Sequence, residues 1–269
     1  MHKCYGRFGI DRCRNLQGVR MNRFEGKTAV VTGGGTKGIG RATAARLVNE
    51  GAHVFITGRR ENELKDAVAA IGRNVTSVPG DITNPADLDR LYDAVAAHGR
   101  GLDVLFANAG VASFATIDET TPEHLDHIFG INVIGTVFTV QKAIPLLNEG
   151  ASVIINASTS AERGAATMGA YAASKAALRS FARTWANELK DRGVRVNAIS
   201  PGPTDTSGVA ELVGAENIAA YNESLAAALP IGRTAHFDEM AGVVAFLASS
   251  DSSFMLGANV YVDGGVNQI

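Results

Sequence analysis

The sequence predicts an α/β protein: a doubly wound parallel sheet of about seven strands, flanked by helices, in one domain. Three observations predict it. Short β-branched runs alternate with helical stretches from residue 27 to residue 262, the pattern of a parallel sheet covered on both faces. A glycine-rich stretch follows the first such run and opens the first helix. The chain has 269 residues, 46% of them hydrophobic and 19% charged, enough for one large core.

Taken in order, residues 27–32 (KTAVVT) read as the first strand and residues 39–49 as the first helix. Residues 53–57 (HVFIT) are a second strand, 61–71 a helix and 75–78 a third strand. A helix over 85–98 starts after Asn84, a residue whose side chain suits an N-cap. Residues 102–106, 152–156 and 195–199 are three more buried-type strands, separated by helical stretches at 122–148 and 170–191. Residues 260–262 form a last strand. Right-handed crossovers between such strands give a Rossmann-type sheet. There is no internal repeat, low-complexity segment or second domain.

Composition excludes several classes. The net charge of -2 gives nucleic acid or an anionic membrane nothing to bind. We see no apolar run of the roughly 18 residues that span a bilayer. The only cysteines, Cys4 and Cys13, argue against a disulfide framework, and no metal-ligand cluster is visible. The expected compartment is the cytoplasm.

Residues 1–20 look foreign to the rest of the chain. They hold Lys3, Arg7, Arg12, Arg14 and Arg20 against Asp11 alone, with no strand or helix period. They lack the apolar stretch of a signal peptide, and the absence of serine argues against a transit peptide. The expectation is a disordered or non-native extension over 1–22, from an upstream start codon, with the domain spanning 23–269. Met21 precedes a plausible domain opening, NRFEGKTAVVTGG.

The glycine stretch TGGGTKGIG places Gly33, Gly34, Thr36, Lys37, Gly38, Ile39 and Gly40 at a strand-to-helix turn. Glycines let the backbone approach a pyrophosphate, and a helix N-terminus offers free N–H groups and a positive dipole end. The second strand ends in Thr57, Gly58, Arg59 and Arg60. NAD-binding folds carry an acid at that strand end for the ribose 2′-hydroxyl. Here the slot is Gly58, followed by Arg59, with Lys37 in the loop. These cations would complement a 2′-phosphate, so NADP is the preferred cofactor and NAD the possible one. The alternative is that Arg59 and Arg60 are solvated loop charges, and Glu61 could bind a ribose hydroxyl.

The strongest chemical signal is YAASK. Tyr171 and Lys175 lie four apart, on one face of a helix. An ammonium beside a phenol favours the phenolate and brings its pKa toward neutrality. Ser158, upstream, could hold a carbonyl oxygen. The arrangement fits interconversion of a ketone and an alcohol.

With these elements together, the chain resembles the short-chain dehydrogenase/reductase superfamily over residues 24–269. TGGGTKGIG resembles that family's TGxxxGxG loop. Asp81 and Ile82 in GDIT resemble the element that contacts adenine. Asn108, Ala109 and Gly110 in ANAG resemble its NNAG element. Asn132 in GINVIG, with Ser158, Tyr171 and Lys175, completes a catalytic tetrad. Pro201, Gly202 and Thr204 in SPGPT resemble the turn beside the nicotinamide, where Thr204 would reach the carboxamide. VDGG near the C-terminus resembles the element of tetrameric members, so a homotetramer is expected. One departure stands: four residues, not three, separate Gly33 from Gly38. Either Gly34 takes the first glycine's role or the loop bulges.

The resemblance implies hydride transfer with Tyr171 as proton donor or acceptor. Lys175 would hold the nicotinamide ribose and lower the tyrosine pKa. Ser158 would bind the substrate oxygen, and Asn132 would support a water leading protons from Lys175. Residues 204–229 would form a mobile segment over a small-molecule carbonyl or alcohol, apolar or compact given Ala161, Ala165 and Ala166. His124, His127 and His236 read as surface or core residues. Rival readings are a 3-oxoacyl-carrier-protein reductase, which would need a basic docking patch, and a non-catalytic nucleotide sensor.

Overall fold

The structure, a computed structural model, describes residues 22–35, 37–205, 214 and 216–269. The expected extension over 1–20, Met21, Thr36, and positions 206–213 and 215 of the expected mobile segment lie outside the described residues.

Seven parallel strands form one sheet: β1 (Thr28–Thr32), β2 (His53–Gly58), β3 (Val75–Pro79), β4 (Leu102–Ala107), β5 (Leu147–Asn156), β6 (Arg195–Pro201) and β7 (Asn259–Val262). Their order is β3-β2-β1-β4-β5-β6-β7. The order reverses between β1 and β4, where open α/β sheets form a ligand crevice at the carboxyl ends of their strands.

Strand side chains alternate between two buried layers, as a period of two requires. Val30, Phe55, Leu105 and Val153 face one cluster. Val31, Ile56, Phe106 and Ile154 face the other. The first layer is covered by α3 (Pro85–Ala97), α5 (Thr136–Ala143) and α6 (Gly169–Leu189). The second is covered by α1 (Ile39–Asn49), α2 (Glu61–Ile71) and the late helix α8 (Phe237–Ala248). Asn84 caps α3 as expected, accepting the N–H of Ala86 at 3.0 Å.

Three elements differ from the sequence reading. The expected helix over 122–148 is α4 (Pro122–Phe129), a π-helical turn (Gly130–Gly135), α5 and a 3-10 turn (Ile144–Leu146), and Leu147 already belongs to β5. Gly135 at the end of the π turn packs closely: a Cβ there would lie 2.8 Å from Ile82 Cδ1. Second, Pro122–Leu146 taken as one helix is long and apolar enough to cross a membrane, contrary to the reading of the sequence. Ile128, Val133, Val140 and Ala143 of this stretch are buried within the protein, while Leu125, Ile134 and Phe138 are exposed. Third, the segment expected to be mobile contains α7 (Ile218–Ala228).

Candidate active site

The crevice lies at the carboxyl ends of β1, β2 and β4, lined by Gly33, Gly58, Arg59, Asp81, Ile82 and Gly110 among others. Thr32 closes β1 and ties it to β4: its hydroxyl accepts the N–H of Asn108 at 2.9 Å and of Ala109 at 3.0 Å. Gly33 comes next with φ +67, a left-handed conformation that favours glycine. Gly33 follows Thr32 directly, in the place of the first glycine of the family loop. Gly34 is buried, its N–H on Thr57 O at 3.2 Å.

Gly40 sits where the loop meets α1. A Cβ there would lie 2.4 Å from Gly33 O and 2.6 Å from Asn108 Nδ2. Gly38 is the N-cap of α1, with no side-chain cap bond to the positive helix end at Ile39 and Gly40 among the described residues. Lys37 and Arg59 are exposed, and Arg60 pairs with Glu63 at 2.8 Å. Asp81 is held by Thr83, whose N–H and hydroxyl donate to its Oδ1 at 2.9 and 2.8 Å.

The catalytic candidates meet beyond β4 and β5. The Lys175 side chain is buried, 3% exposed, and its Nζ donates to Asn156 O at 2.7 Å. Burial lowers its pKa to about 8. The same Nζ lies 5.7 Å from the centroid of the Tyr171 ring. Ser158 caps the 3-10 turn Thr159–Glu162, its hydroxyl accepting the N–H of Ser160 at 3.1 Å, and it also hydrogen-bonds the Tyr171 phenol.

One expectation is corrected here. The Tyr171 phenol is not brought toward neutrality in the protein alone. Burial holds the phenol above its ordinary value, and the Ser158 hydrogen bond is what opposes it. Thr204 turns its hydroxyl onto Gly202 O at 2.9 Å, within its own turn. Pro201 and Gly202 make contacts within the protein. Pro201 O accepts from Thr159 Oγ1 at 3.2 Å, and a Cβ on Gly202 would lie 2.7 Å from Asp263 Cα.

Asn132 lies in the π turn and is fully buried. Its amide is engaged with protein: Oδ1 accepts the N–H of Val111 at 2.8 Å, while Nδ2 donates to Val111 O at 2.9 Å and to Ser174 Oγ at 3.0 Å. The side chain therefore staples backbone. Sequence reasoning missed Val111, Asn156 and Ser174. Asn156 links the two halves of the site, since its Nδ2 donates to Asn108 Oδ1 at 2.9 Å while its carbonyl takes Lys175. An Asn ending a buried strand two residues before Ser158 was the available signal.

A dinucleotide fits these residues: a glycine cradle that a Cβ would fill, an uncapped helix end, and a buried ammonium with one described partner. Known proteins agree. A family model described as enoyl-(acyl carrier protein) reductase matches residues 34–267. The oxidoreductase asL5 of Sarocladium schorii is 46% identical over 93% of this chain and 99% of its own. The NADP-dependent (R)-specific alcohol dehydrogenase of Lentilactobacillus kefiri is 35% identical over 91% of this chain and 98% of its own. A short-chain dehydrogenase from Burkholderia cenocepacia J2315, solved in complex with NADP, superposes with a TM-score of 0.83 at 33% identity, covering 91% of this chain and 99% of that one.

This chain belongs to the short-chain dehydrogenase/reductase superfamily. It is an NAD(P)-dependent oxidoreductase that interconverts a carbonyl and an alcohol, which removes the nucleotide-sensor reading.

Proposed function

We propose that this short-chain dehydrogenase/reductase prefers NADP, acts on a compact or apolar carbonyl–alcohol pair, and uses Tyr171 as general acid and base. The observation that carries the reading is the meeting of the Tyr171 phenol, the Ser158 hydroxyl and the Lys175 ammonium at the end of β5. When bound, the nicotinamide supplies or takes up the hydride. Tyr171 gives its phenolic proton to the substrate oxygen in reduction and removes it in oxidation. Its raised pKa keeps that proton in place at neutral pH. Ser158 donates to the same oxygen, an electrostatic contribution of about 2–4 kcal/mol for one such donor. Lys175 holds the cofactor ribose with the protons that Asn156 does not take. The backbone at Gly33, Gly38, Ile39 and Gly40 would receive the phosphates, Asp81 and Ile82 the adenine, and Arg59 the 2′-phosphate.

The test is a panel of ketones and aldehydes with NADPH and with NADH, read as loss of reduced cofactor. Turnover of none of them overturns the reading. The 3-oxoacyl-carrier-protein alternative has slight support, because the helices flanking the site carry few cations, and of these Lys142 pairs with Asp89.

A homotetramer is part of the proposal. Leu125, Ile134 and Phe138 leave apolar surface exposed on α4, the π turn and α5, surface a second copy would cover. A monomer mass by sedimentation contradicts it. The cytoplasm is the proposed compartment, checked by fractionation.

A further inference from the structure

Ser174 lies in sequence between the two residues assigned to proton transfer and cofactor binding, and its hydroxyl bonds neither side chain. It is fully buried on α6. Its hydroxyl donates to Tyr171 O at 2.7 Å and accepts from Asn132 Nδ2 at 3.0 Å. A serine hydroxyl carries one proton. With that proton on Tyr171 O, only its lone pairs face Asn132, so the polarity of the bond is set. Asn132 is set in turn by its two bonds to Val111. The amide thus joins three segments: the strand β4 exit at Val111, the π turn and α6.

The junction lies against the reacting groups. A Cβ on Gly110 would stand 3.1 Å from Asn132 Oδ1 and 3.4 Å from Lys175 Nζ. Gly110 also lines the cofactor crevice. A small shift of α6 along Asn132 would therefore move Tyr171 and Lys175 against the crevice wall, and misplacement of about 1 Å can cost 100-fold in rate.

We propose that Ser174 is a positioning residue: its hydrogen bond to Asn132 fixes the height and rotation of α6, and with it the placement of Tyr171 and Lys175 over the crevice. The proposal rests on the assignment of Tyr171 and Lys175 as the working pair. Serine inside a helix often bonds a carbonyl one turn back without further consequence. The second bond, to an amide N–H with no other acceptor among the described residues, distinguishes this one.

The experiment compares kcat, NADPH dissociation constant and melting temperature for wild type and Ser174→Ala in the full chain. Without the hydroxyl, one buried Asn132 N–H has no partner. The expected result is a fall in kcat of fivefold or more, with the NADPH constant within threefold of wild type. A smaller fall in kcat, or equal losses in both, overturns the proposal. If the alanine variant does not fold, Ser174→Thr decides, because a helical threonine hydroxyl can still bond the preceding turn. It must keep kcat within fivefold of wild type, and a larger loss overturns the proposal. A Tyr171→Phe enzyme that stays active would instead sink the assignment of the pair. Failure at Ser174 alone leaves that assignment standing.

Discussion

Lys175 donates its Nζ proton to Asn156 O across 2.7 Å, and the same nitrogen stands 5.7 Å from the Tyr171 ring centroid. A buried ammonium in this place is costly, and burial lowers its pKa from 10.5 to about 8. The unfolded chain therefore holds more protons at this group between pH 8 and 10.5, and stability rises with pH through that window. The gain is at most about 1.4 kcal/mol per pH unit. Tyr171, raised above 10 by burial, acts in the opposite sense at higher pH. We expect the ligand-free enzyme to gain melting temperature from pH 7.5 to 9.5, and Lys175→Met to lose that gain. Equal slopes in scans of the two proteins would contradict the account.

The same titration should appear in catalysis. The kcat/KM profile reports groups of the free enzyme. For carbonyl reduction it should decline as pH rises through about 8, as Lys175 loses the charge that holds the cofactor. A profile flat from pH 7 to 9.5 would show that the ammonium has no part in the rate-determining complex.

Tyr171→Phe should abolish turnover and leave cofactor binding intact. The ring still packs beneath Lys175, and only the proton donor is lost. Residual activity within tenfold of wild type would remove Tyr171 from its role.

Gly40→Ala sets two effects against each other. Alanine in place of glycine within a helix gains about 1 kcal/mol. Against it, a Cβ 2.4 Å from Gly33 O and 2.6 Å from Asn108 Nδ2 must push apart the loop and the β4 exit, with overpacking costs of about 1–3 kcal/mol. The clash wins. The variant should melt lower and bind NADPH at least tenfold more weakly by fluorescence titration. Unchanged binding would mean that the loop yields freely.

Much of the fold and site was legible in the sequence because strand alternation, the glycine loop and YAASK each carry a local physical signature. Val30 and Val31 take opposite faces of the sheet as a period of two requires. The helix α8 was not read, because its segment FDEMAGVVAFLA is apolar almost all round and shows no stripe. Its start is set by a capping box in which His236 N donates to Glu239 Oε2 at 2.9 Å, so His236 is a cap, a role its isolation in the chain does not reveal. The early start of β5 at Leu147 was hidden by the loop-like Asn148, Glu149 and Gly150. The Asn132–Ser174 bond depends on a π turn 42 positions away from the serine. No local pattern encodes such a contact.

Cofactor choice is where the sequence reading and the structure meet in one measurement. Arg59 is exposed at the rim of the crevice, and no ion pair engages it among the described residues. Its neighbour Arg60 is already paired with Glu63. Arg59 is thus the better candidate to fork onto a 2′-phosphate, a charge-assisted bond worth about 1.5–3 kcal/mol, or about 10- to 150-fold in affinity. Arg59→Ala should therefore weaken NADPH by at least tenfold and NADH by less than threefold. The reverse design is sterically open. A Cβ on Gly58 would meet only Leu64 Cδ2, at 3.9 Å, so aspartate can be placed there without displacing the strand. Gly58→Asp with Arg59→Ala sets a carboxylate where a ribose hydroxyl can donate and a phosphate is repelled. Preference should then pass to NADH. If wild type binds the two cofactors equally, or if Arg59→Ala weakens both alike, Arg59 is a solvated loop charge and the NADP preference falls.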